Sequence, residues 1–402
     1  MSRFSTDFIS TSARDRRLVL TLNGLFHQAI KHNFSDIHFE TQENGDLLVR
    51  AREDGDLHDL ATLSPSDAHQ VIEKIRARSK LSNVDYRAPQ SGKFVQSIDN
   101  KTFSVRVSII NTDREDVSIV LRLQDRDNAG LPLDQLGMTE KQQDIFNRAV
   151  HDHQGMILNT GPTGSGKTTT LYAGLQIRND RETKLITIED PIEYHLHGAV
   201  QIEVGTGTGK SFVSVLRELL RQDPDVVLVG EIRDQESATI ACQAAQTGHL
   251  LFSTLHTNSA TETIERLILL GVPDYTIHSI MRLFVAQRLL RKPCVHCQEL
   301  VSVDAKLAAA YHSHKIDVPD RVAITHGCDA CKGKGYKGRF PIFEMLLPSQ
   351  DLFHSIPDQA KMLAAAKEQP QFQTLAEAAL EAVRDLRTTP SELDALRLFS
   401  AF

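Results

Sequence analysis

The 402-residue chain carries 45 lysines and arginines against 52 acidic residues, a net charge of −7, with 41% apolar and 24% charged positions. That is the make-up of ordinary globular domains, and the length allows two or three, each with its own core. There is no basic footprint of a nucleic-acid binder, no apolar run near the ~18 residues that span a bilayer, and no apolar signal-peptide core at the N-terminus. The sequence therefore reads as cytosolic, where thiols stay reduced, with any membrane association made through a partner.

Residues 1–20 read as an N-terminal tail and 21–126 as a small α+β domain. Its first helix is expected from Leu22 to His32, followed by half-buried strands in DLLVRARED and TFSVRVSII and a more apolar one in SIVLRL. The polar, Gly- and Pro-containing stretch 127–138 reads as a linker. Thr139, with Gln142 three residues on, forms a capping-box pattern that opens the helix TEKQQDIFNRAV. From 139 to 402 apolar strands (GMILNT, KLITIED, DVVLVGE, HLLFSTLH) alternate with helical lengths, the pattern of a parallel α/β sheet covered on both faces. Beyond residue 345 the chain is rich in Ala and Leu and reads as helical.

GMILNTGPTGSGKTTTL holds Gly161-x4-Gly166-Lys167-Thr168, a complete Walker A pattern between an expected strand and an expected helix. The run Gly161, Pro162, Thr163, Gly164, Ser165, Gly166, Lys167, Thr168 and Thr169 is the candidate ATP cradle. Glycines let backbone N–H groups curl round phosphate oxygens at a helix N-terminus. Lys167 would bridge the β- and γ-phosphates, and the Thr168 hydroxyl would reach Mg2+. A second glycine-rich stretch, EVGTGTGKSF, has Val204 where a P-loop needs glycine and reads as a surface loop. Glu231, after the run DVVLVG, is the candidate metal-linked acid, against the alternative of a solvated strand end; Asp225 lies at that strand's other end. Glu189, Asp190 and Glu193 follow another apolar strand on the same rim, and spacing alone leaves the choice among them open. His249 and His256 bracket HLLFSTLH and point to opposite faces of a regular strand, so at least one reads as structural.

Cys294-x2-Cys297 and, after thirty residues, Cys328-x2-Cys331 supply four thiolates, the donor set of a closed zinc site. Redox dithiols and unligated cysteines are the alternatives, and His296 and His326 are possible substitute ligands. VDAKLAAAYHSHK between the pairs reads as an inserted helix within a tetracysteine subdomain, 290–340. Cys242, in the helical TIACQAA, reads as a small buried residue.

GPTGSGKTTTLY, TIEDPIEY, LRQDPDVVLVGEIRD and TGHLLFSTLHTNSA, in that order, resemble the secretion ATPases, hexameric motors of type II secretion and type IV pili. The likeness runs from about residue 21 to the C-terminus, with FSDIHFE near its start and VAQRLLRKPCVHC and KGRFPIFEML on its C-terminal flank. It implies a RecA-like ATPase domain behind a smaller PAS-like N-terminal domain. It also assigns roles: Glu193 as general base, Glu231 as the acid that holds Mg2+ through water, and His256, with His249, as sensors of the γ-phosphate. Arg106 and Arg122 match arginines that reach a neighbouring subunit's nucleotide. Gln90-Ser91-Gly92-Lys93 stands where family members often carry an arginine turn, and lysine lacks the bidentate fork. The long extra N-terminal domain of many type II members is expected to be missing, which favours a pilus or competence-type system.

The reading is a homo-hexameric ATPase at the cytoplasmic face of the inner membrane, using ATP, Mg2+ and Zn2+, acting on a polytopic membrane platform protein and not on nucleic acid. Within the resemblance, the cysteine quartet and the missing AIRNLIRE-like signature favour assembly or secretion over pilus retraction. A retraction motor, a weakly hydrolysing regulatory module and a RecA-like nucleic-acid translocase are the alternatives.

Overall fold

Alternating apolar and polar residues build the first part of the chain into a sheet with one buried face. A computed structural model describes residues 13–32, 34–53, 56–82, 88–98, 101–111, 117–125, 130–205 and 212–395. These divide into two compact units, the first holding the described residues up to 125 together with 193–195, the second the remainder.

The first unit contains α1 (Ala13–Lys31), β1 (Asp36–Thr41), β2 (Leu47–Glu53), β3 (Asp56–Leu63), α2 (Pro65–Arg78), β4 (Gln90–Ile98), β5 (Lys101–Asn111) and β6 (Val117–Asp125). Its six strands run in the order β3-β2-β1-β6-β5-β4, every neighbouring pair antiparallel. Ile37, Phe39, Val49, Val105 and Leu121 point to one face and pack with Phe26 of α1 and Ile75 of α2. The first helix begins well before the expected Leu22.

The second unit opens with a 3-10 turn, Leu133–Gln135, inside the stretch read as a linker. It continues with α3 (Glu140–Val150), β7 (Gly155–Thr160), α4 (Lys167–Arg178), β8 (Leu185–Glu189), β9 (Val200–Glu203), α5 (Phe212–Leu219), β10 (Val226–Val229), α6 (Gln235–Gln246), β11 (Leu250–Leu255), α7 (Ala260–Leu269) and α8 (Asp274–Ile280). Then follow β12 (Met281–Pro293), β13 (Gln298–Ser302), α9 (Ala305–Ser313), β14 (Arg321–Thr325), β15 (Tyr336–Leu346), α10 (Gln350–His354), α11 (Gln359–Lys367), α12 (Leu375–Arg384) and α13 (Pro390–Ala395). Thr139 and Gln142 form the reciprocal capping box at the start of α3.

Seven strands form the sheet β15-β12-β7-β11-β10-β8-β9, parallel except for the β12–β15 pair. The all-apolar VVLV of β10 is buried throughout, as expected for a strand covered on both faces. Met156 and Leu158 join the core beneath α5–α8 and α12, while α4 lies across Phe252 and Phe146 on the other face. The strands that carry candidate site residues end on one rim.

β12 runs directly into Cys294, and β15 begins just after Gly335. Between them β13 and β14 pair as a two-stranded sheet, and α9 packs into the main core through Leu307, Ala310 and Tyr311. The Tyr311 hydroxyl donates to Leu380 O at 2.9 Å. On α13, Glu392 is 3% exposed and accepts from Arg291 N, Nε and Nη2 at 2.9, 2.7 and 2.6 Å.

Candidate nucleotide site and tetracysteine centre

After the buried β7 the chain turns through Gly161, Gly164 and Gly166, whose φ values of 148°, 79° and 88° are left-handed. A Cβ at Gly161 would fall 2.5 Å from Gln287 O, and one at Gly166 would fall 2.7 Å from Gln287 Nε2, so both positions require glycine. Gly166 caps α4 with no side-chain bond, which leaves the first-turn N–H groups aimed into the loop. Lys167 Nζ donates to Gly161 O at 2.6 Å and Pro162 O at 3.1 Å. Ser165 is 3% exposed, and its Oγ has no protein partner. A buried hydroxyl in that position is costly unless an acceptor sits in the loop. The cradle thus fits a phosphate chain, and Thr168 and Thr169, half-buried on the first turn of α4, stand beside it.

The strand ends supply the acids. Ser253 Oγ and Thr254 Oγ1 donate to Val229 O (2.6 Å) and Gly230 O (2.8 Å), pinning the exit of β10 where Glu231 follows. Glu231 pairs with Arg233 Nε and lies 3.4 Å from His256 Nε2. Burial, with the nearby charges of Lys167 and Arg233, lowers the His256 pKa. Arg233 Nη2 also stands 3.9 Å from Asp190.

The acids left open by spacing separate here. Glu189 is 4% exposed and accepts from Tyr172 Oη (2.5 Å), Thr187 Oγ1 (2.6 Å) and Gln201 Nε2 (3.3 Å), a carboxylate committed to internal bonds. Glu193 is half-buried and belongs to the first unit, as do Arg106 and Arg122. Those arginines lie directly opposite each other on β5 and β6, on the face away from the core, and Arg122 pairs with Asp36 Oδ1 at 2.8 Å. Lys93 faces Arg106 on β4, which extends the cationic row.

His249 sits at the other rim. Gly155, the first residue of β7, donates to His249 O, and the imidazole Nδ1 lies 2.9 Å from Ala244 O at the end of α6. The length of β11 separates it from His256, so the two histidines lie at opposite rims of the sheet within one chain. Asp225 holds Lys184 N at that same far rim. Part of the second glycine-rich stretch, 206–211, lies outside the described residues.

Three polar side chains in apolar strands escape the motif reading: Gln287 and Arg288 on β12 and Glu344 on β15. Glu344 accepts from Ala260 N (2.7 Å) and Leu375 N (3.1 Å), the first residues of α7 and α12. Burial pushes its pKa up from 4.5 to about 7, although both backbone donors and the nearby Arg288 favour the charged form. A carboxyl that holds its proton more tightly when folded stabilises fully below its unfolded value, and that contribution is lost as pH rises through the folded value. Relative to the native chain, Glu344→Gln should therefore gain up to about 3 kcal/mol between pH 4.5 and 8, read by denaturant melts across that range. A pH-independent difference would contradict the raised value.

The four paired cysteines converge. Sγ of Cys294 and Cys328 are 3.9 Å apart, those of Cys297 and Cys331 also 3.9 Å, and those of Cys328 and Cys331 3.8 Å. Four Zn–S bonds of about 2.3 Å in a tetrahedron give S–S edges of roughly 3.8 Å, whereas a disulfide needs about 2.0 Å. Cys328 N and Gly335 N each lie 3.1 Å from Cys331 Sγ, donors suited to a thiolate ligand. The donor set fits zinc. His296 and His326 are not among the converging ligands, and His326 Nε2 pairs instead with Glu299 at 2.7 Å. Cys242 is buried in α6, which pushes its thiol up to about 12 and leaves it inert.

The model of a family described as "Type II/IV secretion system protein" matches residues 12–395. The chain is 38% identical over 365 residues to type II secretion system protein E of Pseudomonas aeruginosa, covering 90% of this chain and 72% of that one. With the type IV pilus assembly ATPase PilB of the same organism it shares 39% over 383 residues, covering 94% and 65%. Among solved structures, the pilus retraction motor PilT with bound ADP aligns at TM-score 0.64 and 26% identity, covering 92% of this chain and 95% of that one. No helix among the described residues is long and apolar enough to cross a membrane.

Proposed function

This chain belongs to the Type II/IV secretion system protein family, and from that premise we propose that it is an ATP-hydrolysing motor powering assembly of a type IV pilus or a type II secretion pseudopilus. The observation that carries the proposal is the rim on which the glycine cradle, Lys167, Glu231 and His256 meet within one unit. The second unit acts as a RecA-like nucleotide domain and the first as a PAS-like partner. Subunits work as a homo-hexamer on the cytoplasmic side of the inner membrane, against a polytopic platform protein.

In this reading Gly161–Thr169 bind the phosphates, with Lys167 neutralising the β- and γ-oxygens. Thr168 Oγ1 and, through water, Glu231 would hold Mg2+, which would supply charge neutralisation at the phosphate oxygens. His256 donates a hydrogen bond toward the γ-phosphate. Glu193 orients and deprotonates the attacking water, and Arg106 and Arg122 complete the nucleotide site of the adjacent subunit. Cys294, Cys297, Cys328 and Cys331 would hold a zinc whose role is structural, since four thiolates would complete its donor set. The likeness to a retraction motor keeps that direction of work as the second reading.

The test is steady-state ATPase activity of size-fractionated rings. Glu193→Gln should still bind ATP but turn over at least about a hundredfold more slowly. Rings mixed from Glu193→Gln and Arg106→Ala subunits should recover part of the activity, because one interface then unites an intact base with an intact arginine. Full turnover in Glu193→Gln moves the base elsewhere, and dead mixed rings argue against Arg106 in trans.

A further inference from the structure

Gln287 and Arg288 are neighbours on β12, so their side chains leave opposite faces of the sheet. On one face Gln287 Oε1 accepts from Thr170 Oγ1 (2.8 Å) on α4 and from Asn159 Nδ2 (3.1 Å) on β7. Its Nε2 lies against Gly166, where a Cβ would not fit. On the other face Arg288 Nη2 donates to both Asn258 O and Asn258 Oδ1 at 3.2 Å, two residues beyond His256. Glu344, opposite Ala286 and so on the Arg288 face, accepts from Ala260 N. The segment leaving His256 is thus held by a cation at residue 258 and a carboxylate at residue 260.

All three side chains are almost fully buried, at 2%, 6% and 3% exposure, among Val285, Ala286 and Leu290. Burying a guanidinium and a carboxyl in a strand costs several kcal/mol that apolar residues would avoid, so stability alone does not account for them. Each instead bonds to an element beside the candidate site: Gln287 to β7 and α4 on either side of the phosphate loop, Arg288 to Asn258, and Glu344 to the first residue of α7. We propose that Gln287, Arg288 and Glu344 are positioning residues that tie the phosphate loop and the His256 loop to opposite faces of one strand pair, holding cradle and sensor in fixed register.

This rests on the ATPase reading above, and the experiment separates the two. Full-length Gln287→Ala and Arg288→Lys are compared with the native chain for affinity of a fluorescent ATP analogue, KM, kcat and melting temperature. Arg288→Lys keeps the charge but loses the fork on Asn258. It should lower kcat about tenfold, with analogue affinity within about threefold, because the hydrogen bonds at stake are those to Asn258, while Arg288 Nη1 makes only a packing contact with Gly161. Gln287→Ala should weaken analogue binding by about fivefold or more through the phosphate loop. Native kcat in Arg288→Lys, or activity losses in both variants that merely follow the fall in melting temperature, would overturn the proposal while leaving the ATPase reading intact. A native chain that binds the analogue without turnover leaves the Gln287→Ala affinity to decide it. A native chain that neither binds nor hydrolyses ATP would overturn both.

Discussion

Lys167→Ala is expected to cut ATP turnover by at least about a hundredfold while leaving the fold in place. The side chain opens α4, where alanine is the better helix former, and its ammonium donates to Gly161 O and Pro162 O of the loop. Little packing is lost, whereas the one lysine charge in the cradle disappears. The change also reaches His256. Lys167 helps to lower that imidazole's pKa, after burial itself, so the variant should titrate His256 at higher pH than the native chain. Activity, circular dichroism and the histidine NMR titration together check this result. Normal turnover would refute the phosphate-site assignment, and an unmoved His256 titration would separate that residue from the cradle.

Removing the sulfur cluster should have the largest effect on stability. The native chain is expected to hold one zinc, and the Cys294→Ser, Cys331→Ser double variant none. Its second unit should melt lower by roughly 10 °C or more, because structural zinc contributes folding free energy directly. The location explains the size of the effect. The cysteines join the ends of β12 and β15, so unfastening them frees a hairpin whose other half contacts the phosphate loop. Metal content, melting and ATPase activity should be measured on one size-fractionated sample. A zinc-free native chain with unchanged melting would overturn the metal assignment and reopen the retraction reading.

Features that local physics decides were legible in the sequence. Thr139 and Gln142 cap α3 whatever surrounds them, and the glycines of the P-loop announce φ values that other residues resist. The cysteine pairs were legible because two C-x2-C spacings supply the four thiolates of a tetrahedral site. What stayed hidden depends on strands meeting across long sequence separations. Glu189 looks like any rim acid until Tyr172 and Gln201 are seen to occupy it. His249 shares a motif with His256, yet the strand between them puts it on the far rim. Gln287, Arg288 and Glu344 lie in VAQRLL and PIFEML, stretches legible only as the C-terminal flank of a family resemblance. Their partners are 84 to 128 positions away in two cases, a separation that no local pattern encodes.

The packing of α9 has a consequence for how such proteins are inherited and recombined. Leu307, Ala310 and Tyr311 share a core with Leu380 and Val383, and the Tyr311 hydroxyl is spent on Leu380 O. The segment between the cysteine pairs is therefore a poor unit of exchange. Grafted alone into a relative that lacks it, the segment would arrive with an apolar face cut to fit α12 and nothing to receive it. An exchange would have to carry α12 with it, and the flanking β12 and β15 are themselves bonded to β7, α4 and α7 through Gln287 and Glu344.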